Sequence, residues 1–458
     1  MAISMPQPAH RTRLLILSHE RIGPKMAGPG IRCHALAGVM ARHAQVCLAM
    51  PAGSTLPDSG APFEAVQFEP GQWGTIERQV REANVILLPS DMAWHFPQLA
   101  ECTAWLAIDG YDPLMPEWLA TYAHESEAAA AWAARMTQLQ PQFLAGDFFI
   151  CASERQRDWW LGLLEAHGRI TPADYLRDPS LRQLVDVVPF GLRATPPLKT
   201  RPAIKGVWPG IQPNDKLMLW GGGLWRWLDP VSAVQAMPLI CAQQPSAKLV
   251  FPGTRHPNPA LANLPSNVDA AKQAAGALGL LDHSVFFGDW VGYEDWTNVL
   301  LETDVALSLH FDTLETRLAY RSRVFDYIWA GLPMVVTAGD ATSEIISRHG
   351  LGSVVGVQDV EGIAREALRW LNAPSEDADR RFAAARGQFT WEEAAKPLIA
   401  FCMRVAGQLP PNRAGRGNPA RTAAMTRLQA ERDRLQQLVD AYERGRFMRL
   451  MRWLKGER

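Results

Sequence analysis

The chain has 458 residues, 47% of them hydrophobic and 20% charged, with a formal net charge of -1. This is the composition of a folded globular protein, and the length exceeds one ordinary core while sufficing for two α/β domains and a tail. The charge is uneven: from Arg413 onward 12 Lys/Arg stand against 5 Asp/Glu, leaving 34 against 42 before it. A basic tail on an acidic body points to an anionic partner for the tail, either a membrane surface or nucleic acid. Six cysteines (Cys33, Cys47, Cys102, Cys151, Cys241, Cys402) form no CxxC pair, poor material for a zinc site or a disulfide framework and in keeping with a reducing compartment. The apolar run 14–17 is too short for the core of a signal peptide, and no stretch approaches the roughly 20 apolar residues of a membrane span. The expected location is cytoplasmic.

In chain order, apolar runs at 14–17, 46–50, 65–68, 85–88, 105–108, 148–151 and 185–188 predict strands. Several are nearly continuous, as in parallel strands covered on both faces. Helical patterns separate them, at 31–42 and in an alanine-rich stretch over 117–140. A Pro-rich connection over 193–213 reads as an interdomain linker. A second alternating series follows, with strands at 217–220, 248–251, 285–287, 305–309, 334–337 and 353–355. Two βα series predict two Rossmann-like, doubly wound domains, at 12–190 and 214–375. Helices broken at Pro397 occupy 376–406. The segment 408–419, rich in Pro, Gly, Asn and Arg, reads as a flexible linker. A charged helix begins near Thr422 and belongs to a helical tail over 420–458. Leu428, Leu435, Leu438 and Tyr442 roughly follow a heptad that Glu431 and Gly445 interrupt.

In doubly wound domains ligands lie beyond the carboxyl ends of strands, where helix N-termini offer free N–H groups and a positive dipole. Two glycine clusters fall there. The first is Ala27-Gly28-Pro29-Gly30-Ile31-Arg32, for which a plain tight turn is an equal explanation. The second is Gly221-Gly222-Gly223, after the first strand of the second series; a run of three glycines serves close backbone approach, or a flexible turn. Trp225 and Trp227 flank Arg226 just beyond; packing is the commoner fate of tryptophan and explains them as well. The segment 312–333 follows a strand ending near His310 and is predicted to open a helix that stops at Gly331. Arg321 and Arg323 at its start oppose the dipole, so they need a reason. A bound diphosphate supplies one; pairing with Asp312, Glu315 or Asp326 is the other.

Taken together, residues 12–405 resemble glycosyltransferase family 4. The resemblance rests on AGPGIR (27–32), LWGGGLW (219–225), LVFPGTRHP (249–257), VFFGDWV (285–291), DVALSLH (304–310), FDYIWAGLPMVV (325–336) and FTWEEAAKPL (389–398), in that order and spacing. It implies a GT-B fold, two Rossmann-like domains facing a cleft, with closing helices that return to the N-terminal domain. It implies a retaining, metal-independent transferase. The first domain would take a glycan or lipid-linked acceptor and the second a nucleotide-diphosphate sugar as co-substrate, with no other cofactor.

Carried over residue by residue, the family's Glu-x7-Glu motif falls on Leu318 and Asp326. Asp326 retains acceptors for ribose hydroxyls, Leu318 cannot replace a glutamate, and Glu315 lies three residues earlier. The family's Arg and Lys in the donor loop fall near Gly223 and Leu228, so Arg226, Arg255, Arg321 and Arg323 are the candidates to neutralise the leaving diphosphate. The resemblance thus points to Asp109, Glu315, Arg321 and Asp326 as catalytic. Gly28, Gly30, Arg32, Gly222, Gly223, Arg226, Arg255, His310 and Arg323 would hold the nucleotide. Asp109, with Tyr111 and Asp112, stands where the family often has a histidine; for Asp112 a helix cap is the alternative. His95 and His310 are further polar candidates, each with a structural alternative. The single Asp-x-Asp, at Asp377 and Asp379, lies in a polar segment, so no metal is expected.

The end of the chain, 442–455, places Phe447, Leu450, Met451 and Leu454 on one helical face and Arg446, Arg449, Arg452 and Lys455 largely elsewhere. Such a helix lies in an anionic lipid interface, or packs on its own body or on a second copy as a homodimer. No nucleic-acid reading motif is present. The leading reading is an enzyme of surface polysaccharide or lipopolysaccharide synthesis; the alternative is a non-catalytic nucleotide-sugar-binding or scaffolding partner.

Overall fold

The computed structural model describes residues 12–57, 60–89, 91–256, 264–372, 376–413, 416–417 and 419–444. All thirteen predicted strands form. Seven make the first sheet: β1 Arg13–Leu17, β2 Gln45–Pro51, β3 Glu64–Phe68, β4 Val85–Pro89, β5 Trp105–Asp109, β6 Phe148–Cys151 and β7 Val185–Val187. Six make the second: β8 Lys216–Trp220, β9 Ala247–Pro252, β10 Val285–Gly288, β11 Val305–Ser308, β12 Met334–Thr337 and β13 Gly352–Val355. The strand orders are β3-β2-β1-β4-β5-β6-β7 and β10-β9-β8-β11-β12-β13, and every pairing is parallel. Apolar runs such as Val85–Pro89 and Ala247–Pro252 are buried along their whole length because helices cover both faces. Strand order reverses between β1 and β4 and again between β8 and β11, and these reversals open the crevices in which such sheets bind ligands.

The chain crosses between the halves twice, and the crossings pair. The Leu192 amide donates to the Phe389 carbonyl at 2.7 Å, and the Trp391 amide donates to the Leu192 carbonyl at 3.2 Å. Gly191 is required there, since a Cβ would stand 2.6 Å from the Trp391 backbone. The helix Lys396–Val405, with Pro397 in its first turn and the break from the preceding helix at Ala395, returns to the first sheet, where Phe401 stacks on Phe148 with ring centroids 4.5 Å apart.

Three local expectations differ. The helix predicted over 117–140 is two, Leu114–Tyr122 and Ala128–Ala145. Glu125 and Glu127 disfavour the end of the first and favour the start of the second, and the fold-back packs Trp118 on Trp132 at 5.3 Å. The helix predicted after His310 is also two, Leu314–Leu318 and Ser322–Ala330, with an extended break between them. Gly331 ends the second with a φ of 73°, as expected of a helix-terminating glycine. The described part of the 408–419 linker is docked, because Arg413 and Arg416 both bond the buried Asp147 under the first sheet. The helix Pro419–Arg444 follows, with Leu428, Leu435 and Leu438 exposed. The amphipathic segment proposed for lipid lies outside the described residues from Gly445 onward. Among the described residues no helix is long and apolar enough to cross a membrane.

Candidate functional site

The carboxyl ends of the two sheets face one another across a cavity of about 990 Å³, a size suited to a nucleotide-linked ligand. Its second-sheet wall begins with Gly221–Gly223 after β8. The Gly221 amide donates to the Tyr327 hydroxyl at 2.9 Å, and a Cβ on Gly221 would lie 2.5 Å from that oxygen. Gly222 has a φ of +87°, open to glycine and costly for other residues. The loop therefore passes close to the helix Ser322–Ala330, whose N-terminus lines the same cavity. No side chain caps that helix; the Val324 amide bonds the Arg321 carbonyl at 3.0 Å, and those of Ser322 and Arg323 are left for a ligand.

Arg323 stands beside this loop, its guanidinium carbon 3.6 Å from where a Gly222 Cβ would be and 5.9 Å from the Trp220 ring centre. Its Nη1 is buried and has no hydrogen-bond partner. Burial, and Arg321 alongside, lower its pKa to about 10, so it remains a cation at neutral pH without a carboxylate of its own. Arg321 also lines the cavity but is engaged, gripped by Glu315 and lying 3.5 Å from Asp340. Burial works against its charge, and Glu315 outweighs that and raises its pKa. Asp326 accepts from the Trp296 indole N–H at 3.0 Å, and burial raises its carboxyl.

His310 lies beneath this wall, 1% exposed, with Nε2 3.6 Å from Asp340. Burial and the Arg321 charge lower its pKa to about 4, so the ring is neutral. Arg226 donates to the Thr121 carbonyl at 3.2 Å and ties the loop to the opposite half. Arg255 is exposed and does not line the cavity.

The first-sheet wall is different in character. Gly28 reaches the cavity, its Cβ position 3.5 Å from the Ser322 hydroxyl, so the two helix N-termini converge. Gly30 packs against Met26, and its amide is already bonded by the buried Glu20 carboxylate. Arg32 and Asp109 spend their charges on each other, Nε–Oδ2 2.7 Å and Nη2–Oδ1 3.1 Å, and neither lines the cavity. Asp112, Glu117 and His95 do line it, beside His19, Glu20, Asp91 and Arg135. Burial raises Asp112 to about 6, and burial with the nearby Asp112 and Glu315 charges raises Glu117 well above the usual range. Glu117, Ser322, Trp296 and Asp340 were not singled out from sequence. Asp340 alone carried a usable signal, since it follows the end of β12. Among the described residues no three His, Cys, Asp or Glu side chains are grouped to hold a metal ion.

Two parallel Rossmann-like sheets with their switch points turned to one cavity, and final helices returning to the first sheet, make this a GT-B fold. No protein-family model and no curated protein matches the sequence. Solved structures do match. Sucrose-phosphate synthase from Thermosynechococcus elongatus superposes with a TM-score of 0.58 at 15% identity, over 86% of this chain and 99% of that one. WaaG, a glycosyltransferase involved in lipopolysaccharide biosynthesis, gives 0.56 at 15%, over 86% and 100%. HepE from Anabaena in complex with UDP-glucose gives 0.56 at 16%, over 86% and 99%. At these identities the likeness is one of fold.

Proposed function

We propose that the chain is a glycosyltransferase that moves a sugar from a nucleoside diphosphate to a hydroxyl acceptor. One observation carries the reading: a glycine loop, an uncapped helix N-terminus and the partnerless Nη1 of Arg323 converge on one wall of an interdomain cavity. This is an anion cradle with unspent donors. As the bond from the sugar to the diphosphate breaks, negative charge grows on the phosphate oxygens. Preorganised donors there stabilise the transition state more than the ground state.

In this reading the half 214–375 holds the donor. Arg323 and the amides of Gly222, Gly223 and Ser322 take the diphosphate, Asp326 the ribose hydroxyls, and Glu315, oriented by Arg321, a sugar hydroxyl. The half 12–190 presents Asp112, Glu117 and His95 to the acceptor. Retention of configuration and independence of metal follow from the resemblance to family 4. WaaG and HepE lend support to a UDP-sugar donor and to a glycan or lipid-linked acceptor in surface polysaccharide assembly.

The test is calorimetry and donor turnover with UDP, GDP and ADP and their glucose conjugates. Binding of one nucleoside diphosphate, with turnover lost in Arg323→Ala, is expected. Absence of binding to all three would overturn the reading. A second reading, a nucleotide-sugar-binding scaffold, is favoured by Leu318 in the motif and by the engagement of Glu315 with Arg321. Tight binding without turnover on any acceptor would select it.

A further inference from the structure

The extended break between Leu314–Leu318 and Ser322–Ala330 is held from the opposite half of the molecule. The Tyr111 hydroxyl donates to the Tyr320 carbonyl at 3.0 Å. Gln156 Nε2 donates both to the Leu318 carbonyl at 2.7 Å and to the Tyr111 carbonyl at 2.9 Å. Carbonyls 318 and 320, which a continuous helix would bond internally, are satisfied across the domain gap instead.

Tyr111 is itself firmly placed. Its amide donates to Asp109 Oδ1 at 3.2 Å, and Arg32 lies over its ring at 4.7 Å. Arg32 in turn donates to Asp109 and to the Val188 and Pro189 carbonyls at 2.8 and 3.0 Å. The preceding Gly110 leaves no slack, since a Cβ would come within 2.2 Å of the Trp160 ring. Burial raises the Tyr111 hydroxyl, so it stays a donor.

We infer that Tyr111 is a positioning residue that sets the N-terminus of the helix Ser322–Ala330, and with it Arg321 and Arg323, only when the two halves are closed. The inference rests on the reading of that helix as the diphosphate cradle. It makes the cradle a product of both domains, although every donor in it belongs to the second. The bond to Tyr320 breaks when the halves part, so closure and completion of the cradle are one event.

Tyr111→Phe keeps the ring under Arg32 and removes only the hydroxyl. In the full chain, amide hydrogen exchange over residues 318–324 is expected to quicken about fivefold, the factor that one lost hydrogen bond supplies. With a turned-over donor, kcat should fall by about the same factor and the Kd for UDP should rise by no more than that factor, because the cradle's donors belong to the second half whether or not it is closed. A packing role alone would lower the melting temperature and leave kcat unchanged. Wild-type exchange rates over 318–324 in the variant would overturn the inference. Failure of the wild type to bind any nucleoside diphosphate would instead sink the functional reading, with the exchange result still standing. Should Tyr111→Phe not fold, Gln156→Met removes the companion donors at Leu318, and the same exchange comparison applies.

Discussion

Arg321 and Glu315 meet in a parallel two-bond grip, Nη1 on Oε1 at 2.7 Å and Nη2 on Oε2 at 2.8 Å, with side chains only 7% and 1% exposed. Six residues of sequence and a break between two helices separate them. Burial raises the Glu315 carboxyl and the Arg321 charge opposes that rise, so each is tolerable inside only because of the other.

Removing one partner therefore strands a charge. Glu315→Ala is expected to lower unfolding stability by less than the about 3–5 kcal/mol of a wholly uncompensated buried ion, because Asp340 remains 3.5 Å from Arg321. Guanidinium unfolding at pH 7 checks it, and an unchanged midpoint would mean that water reaches the pair.

Arg323 should behave in the opposite way. Its Nη1 leaves no partner behind, so Arg323→Met removes a desolvated charge and should keep or raise the melting temperature. Nucleoside diphosphate affinity should fall by roughly 10–100-fold, the worth of a shielded charge-assisted contact of about 1.5–3 kcal/mol. Calorimetry and a melting curve on one sample decide it; destabilisation with intact affinity would contradict the assignment.

Gly222→Ala should strain a backbone at φ +87° by about 1–2 kcal/mol. The added methyl also points at Arg323, with 3.6 Å to its guanidinium. Weakened nucleotide binding with little loss of secondary structure is expected in titration and circular dichroism. Wild-type affinity would place the ligand elsewhere.

His310 gives a pH signature. Its pKa is lowered from 6.5 to about 4, so the folded state binds the proton less readily than the unfolded chain. The stability it contributes is complete above about pH 6.5 and is lost as pH falls towards 4, on the order of 3 kcal/mol in all. Asp112, raised to about 6, acts the other way between its ordinary 3.8 and that value. The comparison is therefore wild type minus His310→Gln across pH 4–7, in which the Asp112 contribution cancels. Parallel stability curves would show that His310 does not titrate this way.

Asp147 holds the linker after the last closing helix. Its side chain is 1% exposed and bonded by Arg413 and Arg416. Asp147→Ala should release the described residues of 408–417 to limited proteolysis; the freed guanidinium groups reach water, so the stability loss should be that of the lost charge-assisted bonds, about 1.5–3 kcal/mol. Protease resistance equal to wild type would show that the carbonyl contacts of Arg413 and Arg416 suffice.

The strands were legible because each is an apolar run between turn residues, and parallel strands covered on both faces carry that signal undiluted. Gly222, Gly331 and Arg323 were legible because a backbone constraint or a charge against a dipole marks a position locally. Asp109 and Arg32 were each seen as polar residues at strand or helix ends near the cleft. Neither could be seen as the other's partner, since 77 residues separate them. Glu117 read as the start of a helix, and only the packing of that helix against Leu314–Leu318 turns it towards Glu315.

The sequence alone determined the two sheets, their order along the chain and the places where helix N-termini must follow strands, because periodicity and glycine placement act over a few residues. Only the tertiary structure decided which charges are free. Arg321 is spoken for by Glu315, Arg32 by Asp109 and the Gly30 amide by Glu20, while Nη1 of Arg323 is left over. Ion pairing and burial depend on distances in three dimensions, and the energies that separate a structural arginine from a ligand-binding one arise wholly from those distances.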